Sequence, residues 1–235
     1  MIKFAIIAAG EGSRLKQEGV KEDKPIVRIN GEIMLHRLVR IFSSVGADEI
    51  VMVVNSQMPD VVAYTYSLKE EFAGKTSLKI LSRSTPSSMH SFYEMSSFLT
   101  DAPFCLTTVD TLFREQEFRS YIDAFLSTPC DGMMAVTDYI DDEKPLYVGV
   151  DSQWRINGFY DKQESCRYIS GGIYGLRPVC LDVLEKCVRE GQSRMRNFQR
   201  QLVNDGLLLK ACPFSKILDI DHAEDILKAE EFVKE

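Results

Sequence analysis

The sequence lacks the features of membrane-spanning and polyanion-binding proteins. It contains no apolar run of about 18 residues, so a membrane-spanning helix is not predicted. The first apolar stretch is interrupted at Gly10 and is too short for a signal peptide, and we expect a cytoplasmic protein. The 235 residues include 28 basic and 35 acidic side chains, a net charge of −7. This balance argues against nucleic acids or membrane surfaces as partners, because both attract basic proteins.

The six cysteines include no C-x-x-C pair, and no histidine lies at the spacing of a metal ligand. A zinc site and a disulfide framework are therefore not predicted, and we expect free thiols. Linkers rich in glycine, proline or serine and internal repeats are also absent. With 45% hydrophobic and 27% charged residues, the composition is that of a globular protein, and we predict a single domain over residues 1–235.

Short apolar runs alternate with segments of helical periodicity through the first half of the chain. Strands are predicted at 3–8, 49–54, 78–81, 104–109 and 132–136, and helices at 33–45, 58–72, 87–99 and 115–126. This alternation predicts an α/β protein, a three-layer α/β/α sandwich with a mostly parallel central sheet. After residue 140, strands at 147–150, 155–159 and 169–176 lie at short intervals and indicate a small mixed-strand excursion. Helices at 180–189, 195–204 and 223–234 and a strand at 207–212 complete the prediction.

The loop after the first predicted strand carries the clearest functional signal. Residues 8–15 read AAGEGSRL, with Gly10 and Gly12 in the turn and Arg14 beyond it. Glycines let backbone N–H groups approach an anion, and an arginine adds a bidentate phosphate donor. A dinucleotide-binding fingerprint would need a third glycine where Leu15 stands, and a Walker A motif is absent. The chain instead continues to Lys24, within the tripeptide DKP.

The pattern G-x-G-x-R, a variable gap and then K-P resembles the nucleotidyltransferases that join an NTP to a phosphorylated sugar or alcohol. Gly10, Gly12, Arg14, Lys24 and Pro25 match that signature in order. The resemblance, within the MobA-like and NDP-sugar pyrophosphorylase superfamily, implies a nucleotide-diphospho-sugar transferase-like fold. It also implies that Arg14 and Lys24 are catalytic, with a nucleotide-binding half at 1–138 and an acceptor-binding half at 139–235.

The same resemblance implies further nucleotide-binding and metal-binding residues. Ala8 and Ala9 join Gly10 and Gly12 on the nucleotide side, and Ser88, at the start of a predicted helix, faces the nucleobase unless it only caps that helix.

Nucleotidyl transfer needs Mg²⁺ rather than a side-chain nucleophile, and Asp110, after the strand ending at Val109, is the expected first ligand. The second ligand is expected at Asp221, with Asp219 in reserve. Asp221 could instead cap the last helix, with Glu224 completing a capping box.

The acceptor side is implied by two further segments. Lys162 is expected to hold the acceptor phosphate, and Gly171 and Gly172 to line the acceptor pocket. The family pattern E-K-P reads DKQ here, and N-A-G reads SGG, so the acceptor itself is not fixed by the match.

A sugar 1-phosphate is the first choice of acceptor. A cytidylyltransferase for phosphocholine or another alcohol phosphate is the nearest alternative, and a molybdenum-cofactor guanylyltransferase and a non-catalytic nucleotide sensor are more distant ones. The NTP and the oligomeric state are left open.

Overall fold

A computed structural model describes residues 1–141, 143–163 and 165–234. Thirteen strands are present in this part of the chain: β1 Lys3–Ala8, β2 Arg28–Ile29, β3 Glu32–Ile33, β4 Glu49–Val54, β5 Ser77–Ser82, β6 Phe104–Thr108, β7 Thr111–Leu112, β8 Gly132–Thr137, β9 Tyr147–Val150, β10 Ile156–Tyr160, β11 Tyr168–Leu176, β12 Leu209–Phe214 and β13 Leu218–Asp219.

Eight α-helices accompany these strands in the described ranges: α1 Ser13–Gln17, α2 Met34–Ser44, α3 Pro59–Glu71, α4 Ser88–Met95, α5 Glu115–Ser127, α6 Cys180–Arg189, α7 Met195–Asn204 and α8 Ala223–Lys234. Among the described residues, no helix has the length and apolar character needed to cross a membrane. All six cysteines are free thiols.

Nine strands form one sheet, in which β10, β9, β11, β6, β1, β4 and β5 lie side by side in that order while β8 and β12 extend it beside β11. The pairs β1–β4, β1–β6, β4–β5 and β8–β12 are parallel. β11 runs antiparallel to β6, β8 and β9, and β10 runs antiparallel to β9. Seven strands therefore point one way and only β10 and β11 oppose them, which confirms the mostly parallel sheet predicted from the sequence.

Helices cover both faces of this sheet. Side chains alternate between the two faces along each strand, so an apolar strand offers apolar side chains to both helical layers. In β1, Phe4 and Ile6 face the layer that contains α2, α3 and α5. Ala5 and Ile7 face the layer that contains α4, α6 and α7. The three-layer α/β/α prediction is thus confirmed.

A third, smaller apolar cluster lies next to the carboxyl ends of the strands. It joins segments from the start, middle and end of the chain: Leu15, Val27, Ile29, Met34, Leu112, Leu218, Ile220, Ala229 and Phe232. Because α8 packs on this cluster, the last described helix is held against the loops after β1 and β6.

The last predicted strand differs from the observed one. The strand predicted at 207–212 begins at Leu209, because the Leu207 N–H still donates to Leu202 at the end of α7. That strand continues through Pro213, which is tolerated because the other side of β12 carries only an isolated bridge, between Lys210 and Arg155, in the described part of the chain. The apolar segment after Pro25 contributes only the short strand β2, because Lys24–Ile26 forms a 3-10 turn.

The hydroxyl of Tyr121 gives a stability test of the predominantly apolar core. Tyr121 is fully buried, donates to the Met133 carbonyl at 2.7 Å and accepts from the Gly175 N–H. Tyr121→Phe leaves two buried backbone groups unpaired, so we expect a loss of about 1–3 kcal/mol in the free energy of unfolding. Chemical denaturation measures it. Tyr66→Phe, at a site 56% exposed on α3, is the matched control and should change stability by less than about 0.5 kcal/mol.

Candidate active site

The carboxyl ends of β1, β4 and β6 lie side by side, with Ala8 opposite Val54 and Ile7 opposite Thr108. Above them opens a cleft of about 610 Å³. It is lined by Ile7, the loop at 9–14, Lys24, residues 85–88, Ser91, residues 108–110 and Asp221. This is the edge where open α/β sheets bind ligands.

Gly12 is required for the close approach of the loop to Lys24. Its backbone is left-handed, with φ of 61°, and a Cβ there would lie 2.9 Å from the Cβ of Lys24. A side chain at position 12 would therefore be strained and would push Lys24 out of place. Gly12 therefore leaves room for the Lys24 side chain, in addition to exposing a backbone N–H group to a ligand.

Lys24 lies between two carboxylates from distant parts of the chain. Its Nζ is 2.5 Å from Asp110 Oδ2 and 2.8 Å from Asp221 Oδ1, and the residue is only 8% exposed. Burial alone would lower the pKa of Lys24, but the charges of Asp110 and Asp221 outweigh it and raise the pKa. The ammonium therefore stays charged and holds both carboxylates.

Arg14 completes the cluster from the loop after β1. Its Nη1 donates to Asp221 Oδ2 at 2.9 Å, while its side chain remains largely exposed in the cleft. Burial would raise the pKa of Asp221, but Lys24 and Arg14 lower it.

The two acids lie close together, because the Lys24 ammonium contacts both of them. The oxygens that it contacts, one from Asp110 and one from Asp221, are no farther apart than the sum of the two contact distances. That distance is well within the roughly 8 Å that a shared Mg²⁺ would allow.

The donor set suits Mg²⁺ in one specific respect. Oδ1 of Asp110 is buried and has no hydrogen-bond partner among the residues that the structure describes, so one carboxylate oxygen is available to a ligand. Within the described residues, no group of three or more cysteine, histidine, aspartate or glutamate side chains has metal-binding geometry. Mg²⁺ commonly binds to only one or two carboxylates and takes its other ligands from water and substrate phosphates. The residues therefore fit a metal that arrives with a nucleotide.

Asp219 occupies a different position from Asp221. It pairs with Thr111 in the β13–β7 ladder and lines a second cavity of about 460 Å³. The side chain keeps contact with solvent in that cavity, yet desolvation by the surrounding protein, together with the charges of Asp110 and Asp221, raises the pKa of Asp219 to about 8. Asp221 lines the cleft together with Asp110, whereas Asp219 does not, and the choice between the two as metal ligand stays a prediction.

The segment that carries Asp221 is fixed by contacts other than the predicted capping box. Asp225, not Glu224, accepts the N–H groups of Asp221 and His222, at 3.1 and 2.8 Å. Glu18 contacts His222 Nδ1 at 2.6 Å and accepts the Ala223 N–H at 2.7 Å. The Asp221 carboxylate is thus free of a capping role and is available to Lys24 and Arg14.

On the nucleobase side, Ser87 rather than Ser88 caps α4. Ser87 Oγ accepts the N–H of His90 at 3.4 Å and contacts His90 Nδ1 at 2.8 Å. Ser88, the first residue of α4, lines the cleft and is not needed for capping. Its assignment to the nucleobase stays a prediction.

The two alanines at the end of β1 differ in their surroundings. Ala9 lines the cleft, whereas Ala8 lies in the apolar core below it. Buried Asn55 donates to the Ala9 carbonyl at 3.3 Å and so fixes the start of the loop. Sequence reasoning did not identify Asn55 as a supporting residue, although a buried polar side chain directly after β4 was a usable signal.

Of the two predicted acceptor glycines, only Gly171 is among the residues that line the second cavity, which shares Arg14 and Asp221 with the cleft. Gly172 has a left-handed backbone with φ of 72°, and a Cβ there would lie 3.2 Å from the Thr111 Oγ1. Replacing Gly172 would therefore disturb the turn after Asp110.

Lys162 is not brought into either of these cavities. It lines a third, more open cavity of about 840 Å³ together with Arg194, Arg196 and Arg200, and Glu143 is common to the second and third cavities. Asp161 is paired with Arg196 and Arg200, so Lys162 does not need to neutralise it. Glu164, which follows closely in the chain, lies outside the described residues. The acceptor role of Lys162 remains a prediction.

The fold is shared with solved nucleotidyltransferase structures. An inositol-1-phosphate CTP transferase from T. maritima has a TM-score of 0.81 at 18% identity, over 99% of this chain and 96% of the other. A Bacillus anthracis structure classed as a glucose-1-phosphate thymidylyltransferase has a TM-score of 0.85 at 16% identity, over 100% and 96%. A UDP-glucose pyrophosphorylase from Acinetobacter baumannii has a TM-score of 0.79 at 17% identity, over 98% and 92%.

At the level of sequence, none of the curated proteins is significantly similar to the chain. The family of MobA-like NTP transferase domains, in contrast, matches residues 4–205, which include the loop after β1, Lys24 and Asp110. The chain therefore belongs to the MobA-like NTP transferase family and is a nucleotidyltransferase.

Proposed function

We propose that the protein is a Mg²⁺-dependent nucleotidyltransferase that joins an NTP to a sugar 1-phosphate and releases an NDP-sugar and pyrophosphate. The observation that carries the proposal is Lys24 held between Asp110 and Asp221 in a cleft closed by the loop of Gly10, Gly12 and Arg14. Two cations and two acids at the carboxyl ends of the strands suit a reaction that redistributes charge among phosphates.

In this reaction an acceptor phosphate oxygen forms a bond to the α-phosphorus of the NTP. The bond from that phosphorus to the bridging oxygen breaks, and pyrophosphate leaves with the electron pair. An acceptor phosphate that is already ionised needs no general base, and catalysis then depends on alignment and on charge stabilisation. A histidine base is therefore not required, and His90 instead contacts Ser87 at the edge of the cleft.

Mg²⁺, when bound by Asp110 and Asp221, would neutralise triphosphate oxygens and orient the leaving pyrophosphate. Lys24 and Arg14 are the cations that contact these acids in the ligand-free protein. We infer that they exchange partners when the nucleotide binds and move from carboxylate to phosphate oxygens. In that state the loop N–H groups near Gly10 and Gly12 face the phosphates, and Ser88 lies on the side of the base.

The acceptor is placed in the second cavity, because that cavity adjoins the cleft through Arg14 and Asp221. An acceptor there lies beside the expected position of the α-phosphate. Gly171 presents backbone rather than a side chain to this space. Lys162 would reach the acceptor only from the neighbouring third cavity, through the side lined by Glu143.

A second candidate function is favoured by the charges at the far end of the second cavity. Asp141, Glu143, Glu224 and Asp225 line that end, and Lys228 is the ammonium that contacts three of them, at 3.0 to 3.4 Å. An excess of negative charge suits an acceptor with a cationic end. A cytidylyltransferase for phosphocholine or a similar alcohol phosphate is therefore the alternative.

A pyrophosphate-release assay decides between the two candidates. Four NTPs are each combined with a panel of sugar 1-phosphates, inositol phosphate, phosphoethanolamine and phosphocholine, with Mg²⁺ or with EDTA. We expect release only when both substrates and Mg²⁺ are present, with a sugar 1-phosphate as the best acceptor. Preference for an amine-bearing acceptor would select the second candidate. Release that requires no acceptor, or none with any pair, would contradict both.

Replacing Lys24 tests two proposed roles, the stabilisation of transition-state charge and the neutralisation of Asp110 and Asp221. Lys24→Ala should lower kcat by on the order of 100- to 1000-fold, because it removes a preorganised cation from the charge that develops in the transition state. It also frees Asp110 and Asp221, so Mg²⁺ alone should raise the melting temperature of the variant more than that of the wild type.

Lys75→Ala, at an exposed position after α3, is the control for both measurements. Unchanged turnover would remove Lys24 from the mechanism. An unchanged response to Mg²⁺ would contradict the two acids as the metal site.

Lys162→Ala tests the acceptor assignment where this sequence departs from the family pattern. Loss of a charge-assisted contact costs about 1.5–3 kcal/mol, so the KM for the acceptor should rise roughly tenfold to more than a hundredfold. The KM for the NTP should stay unchanged, because the contact involves one substrate only. Steady-state kinetics with each substrate varied in turn measure both constants, with Lys75→Ala as the control. An equal rise in both constants, or none, would place the acceptor phosphate elsewhere.

A further inference from the structure

A fourth cavity, of about 480 Å³, opens on the hairpin β9–β10 and the start of β11. It shares no lining residue with the three cavities described above. Three aromatic side chains, Trp154, Tyr160 and Tyr168, line it together with Asn157. Its volume lies in the range of small-molecule sites, roughly 300–1,000 Å³. Nothing in the proposed reaction uses these residues.

The turn between β9 and β10 holds Trp154 in a fixed and unusual conformation. Its φ is 60°, in the left-handed region that a bulky residue rarely adopts. Asp151 Oδ1 accepts the N–H groups of Gln153 and Arg155, both at 2.8 Å, and the Ala211 N–H donates to the Trp154 carbonyl at 2.8 Å. The indole, 39% exposed, is thus presented on a rigid backbone, which lowers the entropic cost of binding.

Two neighbouring polar side chains are also held in place while their hydrogen-bonding groups stay available. A Cβ at Gly149 would collide with Asn157 Oδ1, and one at Gly158 would collide with the Tyr160 hydroxyl, so both side chains lie flat over glycines. Within the described part of the chain, the Asn157 amide, the Tyr160 hydroxyl and the Trp154 indole N–H form no hydrogen bond with other residues. The cavity therefore combines aromatic faces with unused donors and acceptors.

The charged groups at its rim already have contacts of their own. Arg167 is paired with Asp138 at 2.7 Å, and Oδ1 of Asp151, which keeps its negative charge, accepts two backbone N–H groups of its own turn. A phosphate would have to compete with Asp138 for Arg167 and would be repelled by Asp151. The aromatic rings and the neutral donors and acceptors therefore suit a polar, uncharged ligand better than an anion.

The ring geometry distinguishes a puckered ligand from a flat one. The centroids of the Trp154 and Tyr168 rings are 5.6 Å apart, and the angle between the ring planes is 51°. The two rings therefore form one angled surface and not a parallel slot. A flat nucleobase could stack on only one of them, whereas a sugar ring presents C–H groups to both and hydroxyls to Asn157 and Tyr160. We propose that this cavity binds a neutral saccharide, at a site separate from the catalytic cleft.

Trp154 is the only tryptophan of the chain, so its fluorescence reports on this cavity directly. The intact protein, without NTP or Mg²⁺, is titrated with glucose, galactose, mannose, sucrose and maltose, and in parallel with nucleosides and inorganic phosphate. We expect a saturable change in tryptophan emission with at least one saccharide, with a Kd of about millimolar or lower. Nucleosides and phosphate should give no saturable change.

Matched tyrosine variants locate the response. Tyr160→Phe removes only a hydroxyl and should weaken saccharide binding by roughly twofold to tenfold, and Tyr168→Ala should weaken it by about fivefold or more. Tyr66→Phe and Tyr66→Ala make the same changes on α3, at an exposed site outside the cavity, and should leave the Kd unchanged.

Circular dichroism verifies that each variant is folded. The proposal is overturned if no saccharide gives a saturable change, if nucleosides give it instead, or if the variants at 160 and 168 bind as tightly as those at 66.

Discussion

The ammonium of Lys24, buried between Asp110 and Asp221, is the contact on which the arrangement of the catalytic cleft depends. Three segments that are far apart in the chain meet there, one after β1, one after β6 and one before α8. Withdrawing such charges from water costs free energy, and the cost is recovered only when every partner is in place. With Arg14 on Asp221, two positive charges match two negative ones within this cluster. A phosphorylated substrate can enter by exchanging partners with these groups instead of by exposing bare charges.

This balance is supported by the backbone and by apolar contacts around it. Gly12 leaves the space that the Lys24 side chain occupies. The small cluster around Leu15, Leu112 and Phe232 holds α8 against the loops, and the hydrogen bond of Asn55 fixes the start of the loop after β1. The chemistry of the cleft therefore depends on residues that touch no substrate. The fourth cavity is built separately, since its rigidity comes from the β9–β10 turn and from β12.

Much of this could be predicted from the sequence, because the features that define it are local. Periodicity fixes most strands and helices, and the motif with Gly10, Gly12, Arg14 and Lys24 indicates the phosphate side. Contacts between loops separated by about two hundred residues are different. The contact between Glu18 and His222 joins two polar side chains that, taken alone, read as surface residues. Asp225 and not the expected Glu224 acts as the cap because of the turn before α8. The position of Lys162 depends on the path of the chain after β10. Neither is set by spacing alone.

The late position of Asp221 also has a consequence for biosynthesis. Eight strands of the nine-stranded sheet end at or before Leu176, far upstream of it, so a nascent chain can pair those strands before the acid that completes the cluster has been translated. Until then, Lys24 has Asp110 as its sole partner in the cluster, and the loop after β1 lacks the apolar cover of α8. A ribosome-bound intermediate can thus hold most of the sheet while Lys24, Asp110 and Asp221 are not yet together. The order of synthesis separates the formation of the scaffold from the assembly of the charged cluster.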